Sequence, residues 1–137
     1  MRLLRALLLP LAIVGVVLVT ASAMPVGPTV TITMRYSHFL PASVSVPAGV
    51  PVTFILANED PIDHEWIVGD DLTHRRHRTG TEPYHAERPS ERSVGALSRV
   101  HTTVTFSRPG TYRYVCHLPG HERYGMVGFV TVTDDPS

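Results

Sequence analysis

The chain has 137 residues, with 12 basic side chains against 12 acidic ones, eight histidines, and a formal net charge of zero when histidine is neutral. That balance, without a basic stripe interleaved with aromatics, excludes the phosphate-gripping surface of a nucleic-acid binder. One cysteine, Cys116, excludes an internal disulfide, so the thiol must serve some other end.

Residues 1–23 read as an export signal. Arg2 and Arg5 give a positive start, Leu7 to Val19 is almost uniformly apolar, and Ala21, Ser22 and Ala23 form a small-residue cleavage pattern. An uncleaved anchor is the rival reading, and only then would the chain touch a membrane. Leu7 to Ala23 makes a helix of about 25 Å, short of the roughly 30 Å hydrocarbon core. Cleavage leaves residues 24–137, enough for one small domain with one core and one site, in a periplasmic, extracellular or membrane-outer-face location.

From there the pattern is period two. Val30, Ile32 and Met34 share a face; Val44 and Val46 follow Pro41; Val52, Phe54 and Leu56 follow Gly49. Val100, Thr102, Val104 and Phe106 come next, then Tyr112, Tyr114 and Cys116, then Val127 to Thr133. Half-buried strands alternate in this way, and with Pro and Gly at the breaks the segment predicts an all-β sandwich. The shared parity of Tyr112, Tyr114 and Cys116 turns the sulfur inward. Trp66 and Tyr114 are expected in the core, and His38 and His101 on the surface.

Between these strands, Asp70 to Ser98 is rich in Arg and His and poor in large apolar residues. It reads as an irregular insertion at about 70–98, with at most a helical turn over Asp71 to His77. His74, His77 and His85 are candidates for a second metal, set against the plainer reading of a solvated polar loop.

The chemistry concentrates near the C-terminus. Cys116, His121 and Met126 are spaced five and five residues apart, and His64 follows a turn signal at Asn58, Asp60 and Pro61. A thiolate, two imidazoles and a thioether form the trigonal set with a weak axial Met that suits electron-transfer copper. Linking His64 to Cys116 closes a loop at a cost of about 3–4 kcal/mol, so a rigid scaffold has to hold the parts in place. His117 falls on the opposite parity from Cys116 and is expected in solvent. A catalytic Cys116 with His121 or His117 as base fits poorly, because no Asn or Asp is placed to orient the base.

The stretch PGTYRYVCHLPGHERYGMVGFVTV, preceded by VPAGVPVTFILANEDPIDHEW, resembles the cupredoxins, small blue copper proteins of the plastocyanin and azurin type. The resemblance covers most of the chain after residue 23 except Asp70 to Ser98. It implies an eight-stranded Greek-key β-sandwich with copper near one end, His64, Cys116 and His121 as equatorial ligands and Met126 as the axial one. It also implies an apolar collar of Leu118, Pro119 and Ile62 that docks redox partner proteins. The implied function is single-electron transport without substrate turnover, hence not an enzyme. The alternative is copper storage, delivery or resistance using the same ligands. One departure is Glu65, which stands directly after His64 where many cupredoxins have Asn or Ser, and leaves open what bonds the sulfur. Asn58 is expected to brace the loop through its amide.

Overall fold

In the computed structural model, which describes residues 27–80 and 88–134, the alternating stretches become strands. They are β1 (Thr29–Arg35), β2 (His38–Leu40), β3 (Ser43–Pro47), β4 (Pro51–Asn58), β5 (His64–Gly69), β6 (Glu91–Val94), β7 (Arg99–Thr105), β8 (Gly110–Val115) and β9 (Val127–Thr133), with one helix, α1 (Asp71–Thr79), between β5 and β6. Residues 1–26, which carry the expected export signal, and His85 lie outside the described residues.

Two sheets form, in the orders β2-β1-β4-β7 and β3-β9-β8-β5-β6. β1 runs parallel to β4 with Val30 opposite Phe54, and β3 runs parallel to β9 with Val46 opposite Val132; the other pairs are antiparallel. Parallel neighbours cannot be joined by a hairpin, so the chain crosses between sheets to make them. The sandwich predicted from the sequence is therefore present, with nine described strands rather than eight.

The inner faces hold the residues that the parity picked out. Ile32, Met34, Phe54, Leu56, Trp66, Tyr114 and Cys116 are all fully buried in one cluster. Phe54 of the first sheet meets Trp66 of the second at 4.8 Å between ring centroids, an aromatic contact that joins the two layers. Tyr114 donates its hydroxyl to the Pro41 carbonyl at 2.7 Å. Its ring lies across Gly128, its partner in the β8–β9 ladder, so closely that a Cβ there would overlap it. Glycine is required at that position.

The segment at 70–98 corrects the expectation of an irregular insertion. Asp70 caps α1 by accepting from the Thr73 N–H at 2.8 Å, and Gly80 ends it in the left-handed conformation at φ 66°. Those two end signals set the helix despite its polar composition, and it runs two residues beyond His77. β6 then forms because Glu91 to Val94 pairs antiparallel with β5. Ladder hydrogen bonds need backbone, not apolar side chains, which is why composition concealed this strand.

Candidate metal centre

One end of the five-stranded sheet gathers the chemistry. His64 opens β5, Cys116 follows β8, and Met126 precedes β9, so three strand ends meet in one place. The connection from Cys116 to Met126 is closed upon itself by backbone bonds: Cys116 N–H to the Met126 carbonyl at 3.2 Å, Met126 N–H to His121 at 3.1 Å, and His121 N–H to Leu118 at 3.0 Å. Gly125, at φ 93°, makes the reversal that returns the chain to β9.

Within this frame, Cys116 Sγ lies 3.2 Å from His121 Nδ1, which lies 3.2 Å from His64 Nδ1. All three atoms fall within 4.8 Å of one another. Met126 is fully buried and tied to the same loop by both of its backbone groups.

The surroundings fix each donor. Asp60 Oδ2 is 2.8 Å from His64 Nε2. A carboxylate only accepts, so that nitrogen carries the proton and Nδ1 presents its lone pair inward. Asp60 is in turn held by the Tyr36 and Ser37 N–H groups at 2.7 and 2.8 Å. Burial works to raise the Asp60 pKa, but the Ser37 N–H, His64 and the Tyr36 N–H outweigh it and hold the carboxyl below its usual range. Asn58 braces the His64 turn as expected: its amide donates to the carbonyls of Ile62, Val94 and Gly95 at 2.8, 3.1 and 2.9 Å and accepts from the Asp60 N–H at 2.9 Å. The Glu65 question also has an answer, because its backbone N–H donates to Cys116 Sγ at 3.3 Å, a bond that any residue type there but proline can make.

Charge then decides what fits. Burial pushes the Cys116 thiol up to about 11, only partly offset by the backbone N–H groups of Glu65 and Leu118. Burial, and next the facing His64 ring, push the His121 pKa down. A buried thiol and two imidazole nitrogens converge on one point, and a soft cation there would make the thiolate stable. The donor set fits copper.

A family model described as copper binding proteins, plastocyanin/azurin family, matches residues 29–133. The chain belongs to that family. It is 33% identical over 104 residues to the copper-resistant cuproprotein CopI of Rubrivivax gelatinosus, covering 73% of this chain and 61% of that protein. It is 31% identical over 110 residues to auracyanin-B of Chloroflexus aurantiacus, covering 69% of this chain and 47% of that one. The chain thus spans less than two thirds of the length of either relative. The solved structure of auracyanin A, a "blue" copper protein from Chloroflexus aurantiacus, superposes with a TM-score of 0.64 at 25% identity, over 78% of this cupredoxin and all of that chain.

Two features escaped the sequence reading. Asp60 was legible only as a turn residue, and nothing in its spacing marks it as the partner of His64. His117, expected in solvent, has a side chain only 4% exposed. Parity does turn it away from Cys116, but α1 covers that side of the sheet, so the ring enters a second group with His74 and His77. Burial pushes the His117 pKa down to about 4 and lowers that of His74. His74 and His77 are therefore together, as the sequence suggested, but their companion among the described residues is His117.

Proposed function

We propose that the protein carries single electrons between redox partners through one type 1 copper, with His64, Cys116 and His121 as equatorial ligands and Met126 as the axial one. The observation that carries this reading is the convergence of one Sγ and two Nδ1 atoms, each fixed from behind by hydrogen bonds or loop backbone. Bound copper supplies the Cu(I)/Cu(II) couple. The chain's part is to keep the donors still, so that little rearranges when the charge changes. Asp60 holds the His64 ring, Glu65 N–H steadies the sulfur, and the core behind Cys116 excludes water. On this reading no substrate is turned over, and the polypeptide is exported by residues 1–23.

Docking would occur where His121 approaches the surface. Ile62 is 46% exposed, Pro119 is exposed and Leu118 is half-buried. These three form an apolar collar for a partner protein, and charging Leu118 should slow exchange with that partner without altering the visible spectrum.

The test is the visible spectrum of the protein with Cu(II), beside Cys116→Ser and Met126→Leu. An intense thiolate band lost only in Cys116→Ser, with reversible reduction and copper retained, supports the reading; a colourless wild type ends it. Met126→Leu should keep the band and raise the potential, because a donor to Cu(II) is gone, at a folding cost below about 1.5 kcal/mol.

Similarity to a copper-resistant cuproprotein supports a second reading, copper storage, delivery or resistance with the same ligands. Rapid loss of Cu(I) to a chelator would favour it over electron transport.

A further inference from the structure

His117 follows Cys116 directly, and its ring meets two histidines of α1 on the far side of the sheet end. His74 Nδ1 lies 3.0 Å from His117 Nε2. His77, one turn along, stacks on His117 with centroids 5.4 Å apart at 20° and directs Nδ1 to the Thr73 carbonyl at 2.9 Å.

The protons on the first two rings are constrained from outside. His74 Nε2 is 3.2 Å from the Arg113 carbonyl, which only accepts, so that nitrogen is the N–H and Nδ1 is bare. His117 Nδ1 lies 3.4 Å from Glu122 Oε2, and a proton placed on it would leave Nε2 bare as well. Two lone pairs then face each other at 3.0 Å. Moving the His117 proton to Nε2 would relieve that contact but set a bare Nδ1 against the carboxylate. That Nδ1 is buried and has no hydrogen-bond partner among the described residues. Either arrangement leaves two acceptors opposed, and a cation between the rings removes the conflict.

The spacing suits one. Nitrogens 3.0 Å apart can each lie about 2.0–2.1 Å from a shared ion, and metal-bound imidazoles usually give their other N–H to a carbonyl or carboxylate, as His74 does to the Arg113 carbonyl. A cavity of about 300 Å³ lined by His77, Arg78, His117, Leu118, Glu122 and others opens onto the His117 member of the pair, offering an entry path and room for water ligands. Arg78 pairs with Glu122 and so offsets part of its charge.

We propose that His74 Nδ1 and His117 Nε2 form a second metal site, for a divalent ion of the copper(II) or zinc(II) class, completed by water from the cavity. Among the described residues His74 and His117 supply the two protein donors, so this site is weaker and more labile than the first. It requires the folded chain and stands whether or not the first centre cycles electrons.

The experiment adds a second equivalent of Cu(II) to protein already holding one, and follows metal retained after gel filtration together with the electron paramagnetic resonance spectrum. The wild type should retain a second ion whose signal shows two nitrogen ligands. His74→Gln should weaken that binding at least tenfold while the thiolate band of the first centre persists, and His85→Ala should leave it unchanged. Retention of one ion only, equal binding by His74→Gln, or loss of the second ion in His85→Ala would overturn the proposal. Should His74→Gln also lose the thiolate band, the wild-type spectrum decides: two nitrogen ligands on the second ion support the site, and oxygen-only ligation refutes it.

Discussion

Asp60 and His64 form a buried pair, with Oδ2 2.8 Å from Nε2, and the carboxylate is anchored on its other side by the Tyr36 and Ser37 N–H groups. Removing its charge should loosen the ring and make it a poorer donor. Asp60→Asn is expected to lower copper affinity by about 10–100-fold, the range usual for such outer partners, and to raise the reduction potential. Chelator competition and redox titration check both.

Cys116 is buried, and its thiol is pushed up to about 11 from an ordinary 9.0. In the metal-free protein it should react with a disulfide reagent at pH 8 far more slowly than after unfolding. The stability sign follows from the raised folded pKa: the unfolded chain releases the proton first, so stability present below pH 9 is lost as pH rises toward 11. At about 1.4 kcal/mol per pKa unit the loss approaches 3 kcal/mol, and denaturant midpoints at pH 8 and 10.5 would show its alkaline part.

The histidines of the second cluster predict an acid weakness of the metal-free protein. His117 has a folded pKa depressed from 6.5 to about 4, so at pH 7 it is neutral in both states and costs nothing. As pH falls below 6.5 the unfolded chain takes up a proton that the folded chain refuses. Stability should fall by about 2 kcal/mol by pH 5, and replacing His117 with Gln should flatten that slope in denaturant titrations.

Gly128 faces the Tyr114 ring across the β8–β9 ladder, with no room for a Cβ. Gly128→Ala should destabilise by about 1–3 kcal/mol, as overpacking of a full core does. Thermal unfolding measures it, and pairing the change with Tyr114→Leu should recover part of the loss.

The sequence carried the sandwich because strand parity writes inward positions directly: Ile32, Phe54, Leu56 and Cys116 lie where alternation placed them. It pointed to the converging group because Cys116 and His121 lie on one short connection, and the structure brings His64 within 4.8 Å of both. What it concealed depended on layers. His117 was assigned to solvent because parity says which side a ring takes, not what covers that side, and α1 covers it. α1 itself was underestimated because its cap, Asp70, and its stop, Gly80, are ordinary loop residues until a helix joins them. Asp60 was hidden for a similar reason: its contact with His64 depends on a turn in three dimensions and on two backbone N–H groups from residues 36 and 37.

The β8–β9 ribbon and its connecting loop carry Cys116, His121 and Met126, three of the four proposed ligands, while His64 comes from another strand. Prising that one ribbon from β5 would withdraw three donors in a single movement, with the opposite sheet still in place. Copper loss through such an opening would keep pace with hydrogen exchange along residues 110–133, and comparing the two rates tests whether this ribbon is the metal's way out.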